Sequence, residues 1–482
     1  MADKDIIISR LSSTSSEIDS SKPEAQYLSR RQLKRGVAGW VLLASLGVSY
    51  VISGDFAGWN FGLASGGFGG MFIATVIMAI MYGGLVLTLA ELSSSLPTAG
   101  GGYSFTRRAM GPWGGFLTGT AILLEYAIAP AAIAIFIGSY LQTLVGIDGP
   151  IVYGIFYFIF VGIHLWGAGE ALRIMMGITL LAVIAILVFI VAMLPHFQWR
   201  LLFDITPDPQ ALGSSAFLPE GLVGIWAALP FAMWLFLAVE GVPLAAEEAE
   251  NPAKDLPKGI IVSMVILTFF GFSILFLASG GAGADLIKNH GAPLVGALSA
   301  IYGSDSWMVT FVNIVGLFGL IASFFSIIYA YSRQLFSLSR AGYLPRFLSL
   351  SGKRKVPVWA LIIPGILGFL LSLTGQGDLM ITMAVFGATL SYAMMSLSHI
   401  ILRSKEPELP RPYRTPGGRF TSALTLVLSL VALASTFVVS LQAALWAGVF
   451  YSVMLLYFIF YSRHHLVASA PEELFDDVLG KS

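Results

Sequence analysis

Residues 51–62, "VISGDFAGWNFG", place a carboxylate, Asp55, among glycines inside a run otherwise apolar enough to exclude water. The cost of an ionised group depends on its medium before it depends on its neighbours. Of 482 residues, 56% are hydrophobic, 13% aromatic and only 11% charged, against about 25% charged in an ordinary soluble domain. This is the composition of a membrane protein. The formal net charge is zero, so the overall balance points neither to a nucleic-acid partner nor to an acidic tail. The absence of cysteine removes disulfides, thiolate metal sites and a catalytic thiol. Residues 1–36 are polar and Ser-rich, with Arg30, Arg31, Lys34 and Arg35 before the first apolar run; they are expected to form a cytoplasmic tail without a cleavable signal.

Twelve apolar stretches are long enough to cross about 30 Å of hydrocarbon: 37–62, 69–95, 113–144, 150–168, 172–194, 223–246, 257–282, 307–338, 358–374, 380–403, 420–440 and 443–463. Lys and Arg accumulate on the cytoplasmic side of a bilayer. Placing both termini and every second loop there puts 25 of the 27 Lys and Arg inside, among them Arg107, Arg108, Lys353, Arg354, Lys355, Arg411 and Arg414. Only Arg200 and Lys288 fall outside. An eleven-span bundle with a re-entrant segment would spoil this asymmetry.

Two spans carry an acid beside a glycine in mid-membrane: the first, "SGDFAG", with Asp55, and the sixth, "FLAVEGVPLA", with Glu240, Gly241 and Pro243. Gly and Pro weaken a helix interior. The breaks lie five spans apart, so the second unit starts from the opposite side of the membrane. Corresponding interruptions in two inverted halves point to a secondary transporter whose unwound helices meet near the midplane. Freed backbone groups are tolerable only where they face a cavity, a substrate or an ion. The other reading, glycines for close packing with Asp55 capping a half-helix, explains the glycines better than the acid. Expected units are a tail (1–36), a transporter domain (37–465) with repeats near 37–195 and 223–403 and extra helices near 420–463, and a C-terminal cytoplasmic tail (466–482).

Three stretches carry a family resemblance: "SGDFAGWNFGLASGG" (53–67), "AELSSSLPTAGGGYSFTRRAMGPWGGF" (90–116) and "WLFLAVEGVPLAAEEAENPAKDLPKGI" (234–260). Together they resemble the amino acid, polyamine and organocation (APC) superfamily, and more narrowly its ethanolamine permeases, over residues 37–465. The resemblance implies an all-α integral membrane carrier with 12 transmembrane helices, a five-plus-five inverted repeat with discontinuous helices 1 and 6, and two additional helices. In the superfamily's amino acid carriers the first break is a small-residue stretch of the Gly-Ser-Gly kind, whose bare amides bind the substrate carboxylate. Here it reads Ser53, Gly54, Asp55. An anion at the third position repels a carboxylate and attracts an ammonium, by about 4 kcal/mol at 4 Å and an effective dielectric near 20. Ethanolamine, a primary ammonium with one hydroxyl, fits. The resemblance also places Glu240 at the acid of span 6 and Trp234 at an aromatic gate, while Trp59, Tyr126 and Phe236 could complete an aromatic wall around the cation.

Glu91 and Glu125 also sit at membrane depth, where acids are functional candidates because they are costly to bury. For Glu91 a structural partner, Arg107 or Arg108, competes with a gating role. Glu125 is a candidate for the substrate or proton path, as span 3 borders the central site in this family. Proton coupling would require one of Asp55, Glu125 or Glu240 to titrate in the working range. The span 5 lysine that replaces a sodium ion in some relatives has no counterpart, since span 5 holds only Arg173. No cofactor is expected. His164 reads as a hydrogen-bonded packing residue, and "EEAENPAKDLPKG" (247–259), with four acids mixed with Lys254 and Lys258, as a solvated loop rather than a metal site. "SGKRK" and "LGKS" are not phosphate loops: Phe475 stands where the latter needs glycine. The expected protein is a permease of the cytoplasmic (inner) membrane that imports ethanolamine by alternating access, its partners being that small cation and the bilayer, with no nucleic acid. An amino acid or polyamine permease of the same fold is the nearest alternative. A membrane enzyme on ethanolamine lipids would need a nucleophile, base or metal cluster that the His and acid spacings do not offer, and a nutrient sensor would move nothing.

Overall fold

Hydrocarbon offers no partner for a backbone N–H or C=O, so an apolar run that enters it must satisfy its backbone within itself and becomes helix. The computed structural model describes residues 36, 38–98, 100–352, 354–467 and 470, without the side chains of 168–173. The expected tails, Lys353 and the side chain of Arg173 therefore lie wholly or mostly outside the described residues. The helices are α1 (Trp40–Val51), α2 (Ser53–Phe56), α3 (Phe61–Ser95), α4 (Gly102–Val145), α5 (Pro150–Trp166), α6 (Ala168–Met193), α7 (Gly221–Trp234), α8 (Pro252–Ala282), α9 (Ala284–Ile287), α10 (Pro293–Tyr302), α11 (Trp307–Arg340), α12 (Val358–Ser372), α13 (Gly377–Lys405), α14 (Arg419–Val439) and α15 (Leu441–Phe460). Among the described residues there is no strand, only the isolated bridges Ala38 to Ala249 and Ser351 to Pro357. The protein is an all-helical, multi-pass membrane protein of about twelve spans. Among the described residues nine helices are each long and apolar enough to cross a bilayer, and three shorter crossings are the broken first span, α5 and α12.

Two boundaries differ from the sequence reading, both at glycine. The second crossing does not begin as a separate helix at residue 69: α3 runs through Gly67 (φ 65°, ψ −177°), so that 61–66 complete the first span. Only glycine takes that φ without strain, and a Cβ there would run into the Pro219 ring. Likewise α4 kinks at Gly111 (φ 76°, ψ −169°), which sets residues 102–110 apart from the third span. The connection between spans seven and eight, read as loop, folds into α9 and α10.

The bundle has an inside and an outside. In the apolar stretch of α4, 94% of residues are buried, against 22% at Leu441–His464. Lipid is as apolar as leucine, so nothing hydrophobic drives helices together, and the interior goes to helices with small or hydroxyl side chains that pack closely and bond across. α4, α11, α13 and the sixth span fill the centre, while α5, α6, α12, α14 and α15 turn residues such as Phe158 and Val191 outward.

Charged groups gather at one end, the basic end. Glu91, closing α3, pairs not with Arg107 or Arg108 but with Arg403 at 2.9 and 2.6 Å and Arg411 at 3.0 Å. It also accepts the Thr415 amide at 2.7 Å and has His399 at 3.2 Å. Arg108 takes Glu406 instead, at 2.9 and 3.0 Å. The solvated-loop reading of 247–259 fits the exposed Glu250, Asn251, Lys254 and Lys258 but is corrected at its start: Glu247 and Glu248 continue the sixth span as a 3₁₀ turn, and Glu248 is fully buried. They pair with Arg340 (2.7 Å) and Arg333 (2.8 Å) of α11. His164 is a packing residue: its Nδ1 lies 2.8 Å from the Phe160 carbonyl and its ring against Phe325. Because Glu91 joins α3, α13 and the segment before α14, Glu91→Gln is expected to weaken its hydrogen bonds to the half-buried Arg403 and Arg411 at a cost of about 1.5–3 kcal/mol. The check is the melting temperature in detergent, which should fall by several degrees; an unchanged value would contradict the assignment.

Candidate functional site

The first break is built by what its neighbours supply. α2 stops at Phe56, Ala57 is extended (φ −160°, ψ 159°), and Gly58 has φ 94°. The carbonyls released here and just upstream are collected by side chains of other spans. Tyr140 of α4 donates to the Phe56 carbonyl (2.8 Å), Trp234 Nε1 to that of Ala57 (3.0 Å), and Ser323 of α11 to that of Tyr50 (2.5 Å). Asn60 turns its amide outward to the Ile287 and His290 carbonyls, at 2.8 and 3.0 Å, and so ties the break to the segment after α9. The Phe56, Ala57 and Tyr50 carbonyls thus have protein partners, the condition for non-helical backbone at this depth.

The sixth span breaks at the same level. α7 ends at Trp234, Ala238 adopts φ 76° with a side chain, and the chain leaves as the 3₁₀ turn Val239–Glu248 around Pro243. A left-handed residue other than glycine costs about 1 kcal/mol, so the surrounding packing holds it. The two breaks meet at Gly54, where an added Cβ would collide with the Trp234 carbonyl.

Two acidic centres result. Asp55 is completely buried, and neither of its carboxylate oxygens has a hydrogen-bond partner among the described residues. Glu240 is well supplied: Tyr126 donates to Oε1 and Tyr392 of α13 to Oε2, each at 2.7 Å. Glu125 reaches the same Tyr392 hydroxyl at 3.4 Å, and Tyr82 of α3 approaches it from the other side at 3.4 Å. Of the residues singled out from sequence, Ser53, Gly54, Asp55 and Trp234 lie at the meeting of the breaks, with the Ser53 hydroxyl committed to Ser323 at 2.8 Å. Glu125, Tyr126 and Glu240 form the carboxyl–tyrosine network. Phe236 packs on Tyr82 at 5.5 Å, and Trp59 is fully buried, its indole N–H without a hydrogen-bond partner among the described residues. Sequence reading missed Tyr82, Tyr140, Ser323 and Tyr392. A tyrosine in "LSYAMM" is one among 17, and nothing local distinguishes it. Among the described residues no group of three or more His, Asp or Glu side chains is arranged to hold a metal ion.

The chain matches the model of the family described as "Amino acid permease" over residues 39–460. It is similar to an uncharacterised transporter of Rhizobium meliloti, 29% identical over 407 residues that cover 82% of this chain and 85% of the relative. The branched-chain amino acid permease BcaP of Bacillus subtilis is 26% identical over 468 residues (90% and 94%). The aromatic amino acid transport protein AroP of Escherichia coli K12 is 26% identical over 392 residues (78% and 83%).

Proposed function

Because the chain belongs to the amino acid permease family, within the APC superfamily, we propose that it is a secondary transporter whose substrate is a small organic cation, ethanolamine. One observation carries this reading: the Asp55 carboxylate, fully buried in the first break and without a hydrogen-bond donor among the described residues. Bringing an ionised carboxylate out of water costs several kcal/mol unless a counter-charge meets it, and an ammonium supplies both charge and N–H donors. A zwitterionic amino acid, the kind of substrate named for BcaP and AroP, would bring a second carboxylate and meet repulsion on the order of 4 kcal/mol at 4 Å. In this reading Asp55 pairs with the ammonium, backbone at Ser53 and Gly54 meets the hydroxyl, and Trp234 closes over the ligand from the sixth span. Trp59, Tyr126 and Phe236 would shape the aromatic surroundings.

The Glu125, Tyr392 and Glu240 set supports proton coupling. A hydroxyl has one hydrogen, so Tyr392 serves one carboxyl at a time, and a proton gained or lost by Glu125 re-routes that bond and changes the hold on the broken sixth span. The charge asymmetry of the loops supports an orientation with both termini in the cytoplasm, in a cytoplasmic (inner) membrane, with repeats at 37–195 and 223–403 moving around the breaks.

The test is uptake of labelled ethanolamine by purified protein in liposomes, with and without an inward proton gradient, against choline, putrescine, alanine and leucine as competitors. Ethanolamine should compete best and the gradient should accelerate uptake; stronger competition by alanine or leucine would overturn the substrate assignment. Tyr392→Phe removes hydrogen bonds to charged groups worth about 1.5–3 kcal/mol. It is expected to slow uptake at least 10-fold and to flatten its pH profile; a wild-type pH profile would refute the relay.

A further inference from the structure

At the end of the bundle opposite the ion pairs lies a cavity of about 360 Å³ whose walls include Phe61, Phe136, Phe231, Ser139, Asn289 and Asp378. Three features set it apart from a chance surface dent. Its floor is a continuous aromatic layer: the Phe61 ring is 6.3 Å from Phe136 and 6.0 Å from Phe231, and Phe136 is 6.3 Å from Trp234. Trp234 in turn bonds the carbonyl of Ala57, two residues from Asp55. Through Trp234 the layer thus connects the cavity wall to the break that carries Asp55. The start of α13 lies hard against that layer, because a Cβ on Gly377 would sit 3.1 Å from the Phe136 ring. Finally, the wall carries the exposed acid Asp378, while Lys288, in the neighbouring segment, is already held by Asp285 at 2.5 Å. Aromatic faces beside a carboxylate attract an organic cation, through the ring quadrupole and through charge; an anionic or zwitterionic ligand gains little from either.

We propose that this cavity is a second, outer binding station for a small organic ammonium ion, with Asp378 supplying the charge and Phe61, Phe136 and Phe231 the apolar and π contact. The inference deepens the ammonium reading given above and rests on it. The ion docks in the cavity and is passed inward when the Phe61, Phe136 and Trp234 rings part, so the station concentrates substrate at the mouth of the route to Asp55.

The experiment uses the full-length protein in liposomes with labelled ethanolamine supplied on the cavity side. Asp378→Asn keeps the shape of the side chain and removes its charge. It is expected to raise KM about five- to tenfold, to leave kcat unchanged, and to abolish most of the dependence of KM on ionic strength. Asp378→Glu should restore both. Protein carrying Asp55→Asn should retain weak, salt-sensitive ethanolamine binding by equilibrium dialysis, lost when Asp378→Asn is added. If wild-type protein transports ethanolamine and Asp378→Asn matches it in KM and salt dependence, the outer station is refuted and the ammonium reading stands. If wild-type protein neither binds nor transports ethanolamine, both fall together.

Discussion

Replacing Asp55 with asparagine is expected to abolish saturable ethanolamine uptake while the protein inserts, folds and melts as before. Asparagine fills the same space, and the acid it replaces makes no side-chain hydrogen bond among the described residues, so no packing partner is lost. Stability should change little, because one buried polar side chain takes the place of another of the same shape. Transport should behave oppositely. Truncating one partner of a buried, hydrogen-bonded charge pair costs about 2–5 kcal/mol, which is roughly 30-fold to several thousand-fold in affinity. The two readouts separate a ligand-binding acid from a structural one. A variant that transports at normal affinity, or one that fails to fold, would reject the role assigned to Asp55.

Arg333→Met is expected to have the next largest effect, on the opposite side of the site. Glu248 and Arg333 are both buried and 2.8 Å apart, and the Arg333 guanidinium lies over the Tyr329 ring at 4.4 Å. The same segment clasps the beginning of the first span: the Ala38 amide bonds the Glu248 carbonyl and the Glu250 amide bonds the Ala38 carbonyl, each at 3.0 Å. The basic-end termini of both broken spans are thereby fastened to α11, and Asp55 and Glu240 are buried above them. Access from that end requires this fastening to open. Removing Arg333 leaves a lone buried carboxylate, a penalty of about 3–5 kcal/mol, and the closed arrangement becomes roughly 150-fold to several thousand-fold less favoured. Since the chain has no cysteine, a single Ser396→Cys, buried on α13 one turn beyond Tyr392, reports the opening. Maleimide labelling from the basic side should accelerate strongly in Arg333→Met, and uptake should fall. The double variant Arg333→Met, Glu248→Met replaces the pair with apolar volume and should recover the melting temperature without recovering transport. Wild-type labelling in the single variant would show that the pair is packing and nothing more.

Much of the molecule was legible along the chain because its solvent is lipid. A run of apolar residues in hydrocarbon has few structures open to it, so the all-helical class and the approximate spans follow from composition and length alone. The interruptions at 53–58 and 238–243 were legible for the same reason, since Gly, Pro and acids are costly there. Helix limits at Gly67 and Gly111 were not, because a kink that keeps hydrogen bonding on both sides leaves hydropathy unchanged. Partner choice was not legible either. Glu91 took Arg403, 312 positions away, over the nearer Arg107 and Arg108, and Glu247 and Glu248 became buried although their surroundings in sequence look solvated.

The sequence by itself determined that this is a multi-pass helical membrane protein, with acids and helix breakers placed in two spans five apart, because the bilayer penalises each of those residues individually. Tertiary structure alone decided which acid is provided for. Tyr392 reaches Glu240 across 152 positions and Ser323 reaches Ser53 across 270, while Asp55 receives nothing among the described residues. Hydrogen bonds act over about 3 Å, and only the packing of the spans sets which groups lie within that reach.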